Sequence, residues 1–591
     1  MKWNVTPMRM AVVMAMGCLC MGAAQANEFL ADAHKGRGVR CSSCHVNGMT
    51  VSDSQREIDK QCVACHGGLD KLAGNKPAPN AHKSHLGEIG CTSCHNGHVR
   101  SKAYCSSCHD FPSMKIPHGG DAKATPKKSL KDYQNAVPRR EETVDLVIVG
   151  SGAAGFVAAI EAYERGVRNI VILEKQPVPG GNSQLAAGGM NAAGSSVQKA
   201  KGIEDSAEAM AKDTMKGGKN TNNPDLVKVL AEESAASIEW LRRHGAPLEN
   251  VGRGAGASAA RMHGPKGGSA VGPYLSAFFR TQVDKLDGLD LRLNSRMVRI
   301  EKDDKGVVTG VLVEGKHSGL YRLNAKAVVL ATGGLGANTE LVRSYRPDIS
   351  PETKTSNQPG TTGDGMVLAQ NVGAKLVDMK EIQLNPTLLV GSPVIVSEIV
   401  RGAGAVFVNR EGKRFIQELA TRDVTSAEVS KQTGGTAFEI FDDTVRNKVG
   451  QLKAAFVLGK AIEANSLEEL GQKAGIDPKN LAATIARYNR FVKNGKDEDF
   501  GRADMPQAVV GPKFYAIEIT PAIHYAMGGV AINTKTQVLD EKGQVIPGLY
   551  AAGEVTGGVH GKNRLGGNSI SETISFGRIA GDEAAKVILG K

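Results

Sequence analysis

The stretch VDLVIVGSGAAGFVAAIEAYERGVRNIVILEK (144–175) decides the fold of the 591-residue chain. VDLVIVG (144–150) is an apolar run suited to a strand buried on both faces. Gly150, Gly152 and Gly155 follow in G-x-G-x-x-G spacing, with Ala154 inside the turn. FVAAIEAYERG then reads as a helix, and VRNIVILEK as a second strand ending on Glu174. Strand, glycine turn, helix, strand and terminal acid form the dinucleotide-binding unit. The glycines let the backbone approach a pyrophosphate at the helix N-terminus, and Glu174 is placed to hold an adenosine ribose.

That unit suits NAD as well as FAD, so the choice rests on the segments downstream. PGGNSQLAAGGMNAAG (179–194) is glycine-rich, as flavin-facing loops are, and contains Asn182, Ala187, Gly188 and Gly189. AKAVVLATGG (325–334) is a strand running into Thr332, Gly333 and Gly334. GLYAAGEVTGGVHG (548–561), with Glu554, is a late return to the same fold. No second complete G-x-G-x-x-G is present for a nicotinamide.

Upstream the character changes. CSSCH (41–45), CVACH (62–66), CTSCH (91–95) and CSSCH (105–109) are four C-x-x-C-H motifs. Their cysteines are Cys41, Cys44, Cys62, Cys65, Cys91, Cys94, Cys105 and Cys108, and the following histidines are His45, His66, His95 and His109. One such motif could be half of a zinc site or a redox pair, but four in one segment read as four covalent c-type haems. Two thiols hold the vinyl groups and the adjacent imidazole meets the iron. His34, His82, His85, His98 and His118 supply candidates for the sixth ligand, with Met49 and Met114 as alternatives. Bis-histidine ligation gives low potentials suited to electron transfer. Haems deliver single electrons, and converting them to a hydride requires a flavin rather than NAD. The cofactor set expected is four haems and one FAD. No histidine lies between His118 and His244, so the FAD is expected to be non-covalent.

The first 26 residues read as a cleaved export signal: Lys2 and Arg9, an apolar run from Ala11 to Ala24, and Ala24-Gln25-Ala26. A lipoprotein signal ending at Cys18 is the alternative. The apolar run is too short to span a bilayer. Losing Lys2 and Arg9 lowers the formal charge from +12 to +10. Haem propionates offset much of that excess, so no nucleic-acid partner and no stable membrane insertion are expected. Residues 119–142 are polar and basic and read as a linker or short surface helix.

With these motifs in place, the chain resembles the periplasmic tetrahaem flavocytochromes c of fumarate reductase type, and its flavin part resembles the fumarate reductase/succinate dehydrogenase/L-aspartate oxidase superfamily. The resemblance runs from residue 27 to the end. It implies a multidomain chain: a small mainly-α tetrahaem cytochrome c domain (27–118), the linker (119–142), and an α/β Rossmann-like FAD-binding domain (143–380 and 524–591). An α+β clamp domain (381–523) is inserted between the two flavin segments. It also implies His34, His82, His85 and His98 as distal haem ligands, leaving His118 spare. Asp364, Ser569 and Ile570 join the FAD contacts, as does Arg564.

For catalysis the resemblance implies Arg422, in Thr421-Arg422-Asp423, as proton donor. Glu398 and Arg401, in Ser397-Glu398-Ile399-Val400-Arg401-Gly402, would relay protons to it. His524 and Arg564, with Ser397 and Gln383, would hold the substrate carboxylate. From spacing alone each arginine could equally be a surface charge. Two positions depart from the family pattern. Gln383-Leu384-Asn385-Pro386-Thr387 has Asn385 where the fumarate reducers have histidine. Arg253 stands where they carry a methionine near the flavin, and is a candidate for the missing positive group. The expectation is a monomeric periplasmic reductase of a small unsaturated carboxylate, fed by a membrane-anchored or soluble cytochrome c on the quinol side. Fumarate leads, with methacrylate, acrylate or urocanate as alternatives. An electron-storage cytochrome is a third reading.

Overall fold

The computed structural model describes residues 29–44, 55–75, 80–83, 89–96, 100–107, 116–117, 128–316 and 318–591. The export signal, Met49, Met114, Cys108 and His45, His85, His98, His109 and His118 lie outside the described residues.

The central sheet grows out of the 144–175 unit. Leu146–Val149 pairs in parallel with Ile170–Leu173 on one side and Ala327–Leu330 on the other. Leu289–Arg292 and Val545–Ala551 extend it, and Gln537–Leu539 closes one edge antiparallel. The four residues of Leu146–Val149 are all buried, as an inner parallel strand requires. The helix Ala153–Glu164 packs on this sheet beside the terminal helix Asn568–Leu589. Gly155 is obligatory here, because a Cβ would stand 2.0 Å from Gly150 O.

The inserted unit has its own sheet. Ile382–Leu389, Phe514–Ala526, Ala437–Asp442 and Val406–Val408 run in that order, all antiparallel, with Ala461–Ala464 also on Phe514–Ala526. Apolar clusters cover both of its faces. The boundary expected at 523/524 falls inside a strand that continues unbroken to Ala526. Two register shifts interrupt Ile382–Leu389, around Gln383/Leu384 and Asn385/Leu388. Bulges re-aim side chains, and these two bracket the residues that the family pattern assigns to substrate.

Of the stretch read as a linker or short surface helix, residues 128–142 are described, and they lie against the flavin unit. Leu130–Tyr133 forms a single turn, with Tyr133 buried on Val298 and Leu312. Glu141–Thr143 then adds a parallel strand beside Gly319–Asn324. Apolar contacts and open strand edges outside the segment captured a sequence that carries no periodicity of its own.

The described part of the haem segment consists of short helices and single turns. Cys41–Ser43 and Cys91–Ser93 are single 3-10 turns, and Gln55–His66 carries its motif at its C-terminal end. Either geometry sets the two cysteines three residues apart on one side of a turn. The segment docks on the flavin unit through Ile89, Cys94, Tyr104 and Val178. Ser93 Oγ donates to Pro177 O at 2.5 Å. Among the described residues no helix is long and apolar enough to cross a membrane.

Gly155→Ala is expected to lower unfolding free energy by roughly 1–3 kcal/mol, the usual cost of overpacking. Urea denaturation of the purified holoprotein measures it, with flavin loss expected in step.

Candidate active site

Four segments far apart in the chain converge where the cap meets the flavin unit. Arg422 opens the helix Arg422–Ser430 behind the N-cap Thr421. Its Nε donates to Glu398 Oε2 at 3.2 Å and its Nη1 to Gln383 Oε1 at 3.3 Å. The same Gln383 oxygen accepts from Arg564 Nη2 at 3.1 Å. Gln383 Nε2 is anchored on Asn563 Oδ1 and Arg564 O, both at 2.8 Å, which fixes the amide's orientation. One neutral oxygen thereby holds two guanidinium groups side by side.

Glu398 sits in the first turn of Glu398–Gly402. Its Oε1 accepts from Ala255 N at 2.9 Å, and its Oε2 lies 3.7 Å from Arg401 Nη2. Burial opposes its ionisation, but Arg422 and Arg401 hold it down at about 2. Arg401 is itself 1% exposed and donates from Nη1 to Glu418 O at 2.8 Å. Arg422, Glu398 and Arg401 thus form a continuous line of charge.

His524 lies near the end of the long cap strand, with Nδ1 2.8 Å from Ser356 Oγ. Burial, reinforced by Arg422 and Arg564, pushes its pKa well below the usual range, so the ring is neutral. Arg564 stacks over the Tyr525 ring, 4.5 Å from its centroid, and its buried Nε has no partner. Burial, then Arg422, lowers Arg564 to about 10. Tyr525 is held in turn by Glu572 Oε2 at 2.7 Å, which also meets His560 Nε2 at 2.8 Å. Ser356 and the Tyr525–Glu572–His560 group have no signal in the sequence, because their partners lie far away along the chain.

Ser397 caps the short helix, accepting from Ile399 N at 3.4 Å, and is buried. Asn385 Oδ1 is taken by Thr387 N and Thr387 Oγ1, both at 3.0 Å. Only its amide nitrogen remains to offer a ligand. Arg253 is exposed and turns back on its own loop, donating to Ala257 O and Ser258 O. The structure therefore corrects the expectation for Arg253. Its guanidinium is occupied by local carbonyls and does not join Arg422 and Arg564.

The proposed flavin contacts come from several segments, some of which hydrogen-bond to one another. Asn182 Nδ2 donates to Glu554 Oε2 at 3.1 Å and to Asn357 Oδ1 at 2.6 Å. Burial raises Glu554 to about 7. Gly334 must lack a side chain, since a Cβ would meet Glu554 Oε1 at 2.4 Å. Gly150, Gly152, Ala154 and Gly155 form the first turn, where Glu174 accepts from Ser151 Oγ at 2.7 Å and Gln176 N at 2.8 Å. Ala187, Gly188 and Gly189 lead into the strand Met190–Asn191. Ser569 and Ile570 lie in the first turn of the terminal helix, which has no side-chain cap. Thr332 Oγ1 and Asn191 Oδ1 are buried without a partner. Orphaned polar atoms beside glycine turns and an uncapped helix suit a bound dinucleotide. Asp364 behaves otherwise: its carboxylate is engaged by Arg296 at 2.9 Å, Lys175 at 3.2 Å and Thr362.

In the haem segment, the His34 and His66 rings lie 5.9 Å apart and those of His82 and His95 6.3 Å apart, centroid to centroid. Each gap accommodates a metal roughly 2 Å from a nitrogen on either side. The residues present therefore fit haem iron.

Comparison with known proteins agrees with both halves. A family model described as "FAD binding domain" matches residues 145–570, and one described as "Cytochrome c3" matches 33–110. The chain is 48% identical over 577 residues to "Fumarate reductase (cytochrome)" of Shewanella frigidimarina, covering 96% of each chain. It is 35% identical over 483 residues to "Urocanate reductase" of Eggerthella lenta, covering 79% of each. The solved open conformation of a flavocytochrome c3 fumarate reductase superposes with a TM-score of 0.79 at 43% identity, covering 94% of this chain and 99% of that one.

Glu398→Gln leaves two buried guanidinium groups without their carboxylate and is expected to cost about 3–5 kcal/mol at neutral pH. Because the folded-state pKa is depressed, this difference is present above 4.5 and fades as pH falls towards about 2. Denaturation of both proteins over that range measures it.

Proposed function

The chain belongs to the flavocytochrome c fumarate reductases, FAD-dependent oxidoreductases acting on CH–CH groups, and from that premise we propose that it reduces the double bond of a small α,β-unsaturated carboxylate, with fumarate leading. The observation that carries this reading is the pairing of Arg422 and Arg564 on Gln383 Oε1 beside neutral His524. The two guanidiniums face one neutral oxygen, so an anion entering between them meets two positive groups.

When bound by the glycine turn at Gly150–Gly155 and Glu174, FAD would supply hydride chemistry, and the c-type haems, four by their motifs, would supply its electrons. The chain's own residues do the rest. Arg564 and His524 bind the carboxylate conjugated to the double bond and stabilise the negative charge that develops as the β-carbon accepts hydride. Arg422 donates a proton to the α-carbon. A free guanidinium is a poor acid. A carbanion-like transition state is basic enough to take its proton, and Glu398 stands at 3.2 Å to pass one back from Arg401. Ser397 and Asn385 are the residues proposed to meet the other end of the substrate.

Asn385 favours a second reading of the same chemistry. A neutral amide with its oxygen committed to Thr387 grips a distal carboxylate less firmly than a charged imidazole does. The pocket therefore suits an enoate with one carboxylate, or with a different distal group, alongside fumarate. C-x-x-C-H attachment and the cytochrome c3 match support a periplasmic setting. They also support a cytochrome c donor on the quinol side. The FAD is held non-covalently.

Anaerobic oxidation of reduced methyl viologen with fumarate, methacrylate, acrylate and urocanate tests the proposal. Turnover of at least one acid is expected, and turnover of none would leave only an electron-storage role. Arg422→Ala should lower kcat by about 10²–10⁴-fold with haem and flavin spectra unchanged. Asn385→His should improve kcat/KM for fumarate over monocarboxylates by about tenfold, the worth of one charge-assisted hydrogen bond.

A further inference from the structure

The cap buries an ionisable side chain that has neither a hydrogen-bond partner nor a use in the scheme above. Glu439 sits mid-strand in Ala437–Asp442, opposite Phe407 on one neighbour and Ile517 on the other. Strand alternation puts it on the face of Ala437 and Phe441, which packs with Phe407, Ile517, Val400 and Ala403. The residue is 0% exposed, and neither carboxyl oxygen has a hydrogen-bond partner. An apolar side chain would fill this place without the cost of burying an acid, so packing alone does not account for it.

Arg401, the last member of the line from the substrate, reaches this face: its guanidinium lies over the Phe407 ring, 5.4 Å from the centroid, and Phe407 is the cross-strand partner of Glu439. Arg401 also senses Glu398, Arg422 and Arg502. Its Nε is buried and likewise without a partner. The other ionisable groups nearby are already committed. Glu418 is paired with Arg414 at 2.8 Å and Arg502 at 3.2 Å. Tyr515, on the adjacent strand, is turned to Asp443 and Arg446. An unpartnered guanidinium N–H and an unpartnered carboxyl on the same face of the sheet are the donor and the acceptor that a bridging water would need.

We propose that Glu439 is the internal proton store behind Arg401, reloading the line Arg401–Glu398–Arg422 after each proton reaches the α-carbon. This rests on Arg422 being the acid. The O–H bond of Glu439 breaks and its proton passes to Arg401. Arg401 gives one to Glu398, and Glu398 gives one to Arg422. Every guanidinium ends the cycle as it began, and Glu439 is left as a carboxylate beside Arg401 until solvent reprotonates it. Burial pushes the acid up to about 8 against the pull of Arg401, so the store is filled at neutral pH. An acid needed in its protonated form gives a rate that is full below that value and falls as pH rises through it. Glu439 is a positioning residue in this scheme, since it touches neither substrate nor flavin.

The test is Glu439→Gln in the holoenzyme, which keeps shape and burial but has no acidic proton. In the viologen–enoate assay kcat should fall about tenfold or more, with KM, haem and flavin absorbance and melting temperature retained. The alkaline decline centred near 8 in the wild type should disappear. Glu439→Asp keeps an acidic proton and should retain that decline at an intermediate rate. A Glu439→Gln enzyme with wild-type kcat and the same alkaline limb overturns the proposal. If Glu439→Gln does not keep its flavin, Glu439→Asp decides, and loss of its alkaline limb overturns the proposal equally. A wild type that turns over no enoate overturns the functional reading along with this one. Wild-type turnover with an indifferent Glu439→Gln overturns this one alone.

Discussion

Everything at the candidate active site depends on one shared carboxylate. Glu398 takes the guanidinium of Arg422 on one oxygen, with Arg401 behind it, and the backbone of Ala255 on the other. Ala255 belongs to the flavin unit and the arginines to the cap, so this carboxylate joins the two bodies where the substrate is proposed to bind. Desolvating three charged groups is costly, and in isolation such a triad need not stabilise the protein. Its value is in specifying one arrangement. With Glu398 ionised and pinned, Arg422 has one place to be, and Gln383 sets Arg564 beside it.

The same economy explains why the groups around the cluster are neutral. His524 is kept uncharged by burial and by two neighbouring guanidiniums, so it adds a hydrogen bond and no further positive charge. Tyr525 supports Arg564 through the face of its ring and is held by Glu572. A second buried ion group, Arg414 with Glu418 and Asp497, holds the cap together behind Arg401. The fully paired network fixes the scaffold, while Arg564 Nε, Arg401 Nε and Glu439 are among the buried groups left incompletely paired. Unsatisfied polar atoms are tolerated where a ligand, a water or a moving proton will meet them.

Much of this was legible in the chain before folding. The 144–175 unit announced a dinucleotide fold because its signals are local: alternation of strand and helix periods, glycines at a turn and an acid at a strand end. The central parallel sheet confirms that fold class. The C-x-x-C-H motifs are local too, since covalent attachment and ligation use adjacent residues. The stretch 119–142 was legible only as a linker or short surface helix, because what the described part of it does is imposed from outside, by the sheet edge that Glu141–Thr143 joins and the apolar residues that receive Tyr133. Where the Arg253 side chain turns was not legible for the same reason. A cationic residue in a glycine-rich loop can reach inwards or fold back, and the carbonyls of Ala257 and Ser258 drew it back.

The sequence by itself determined the cofactors the chain can hold and the residue types available for catalysis. Only the tertiary structure decided which of those residues meet. Gln383, Glu398, Arg422 and Arg564 are brought together by the pairing of Ile382–Leu389 with Phe514–Ala526 and by the return of the terminal segment to the central sheet. It also set the proton affinity of each group, pushing those of His524 and Glu398 down and that of Glu439 up. The physical reason is that motif geometry is set by bonds along the chain. Proton affinity and reach are set by burial and by charges from segments that a reading of the chain cannot place side by side.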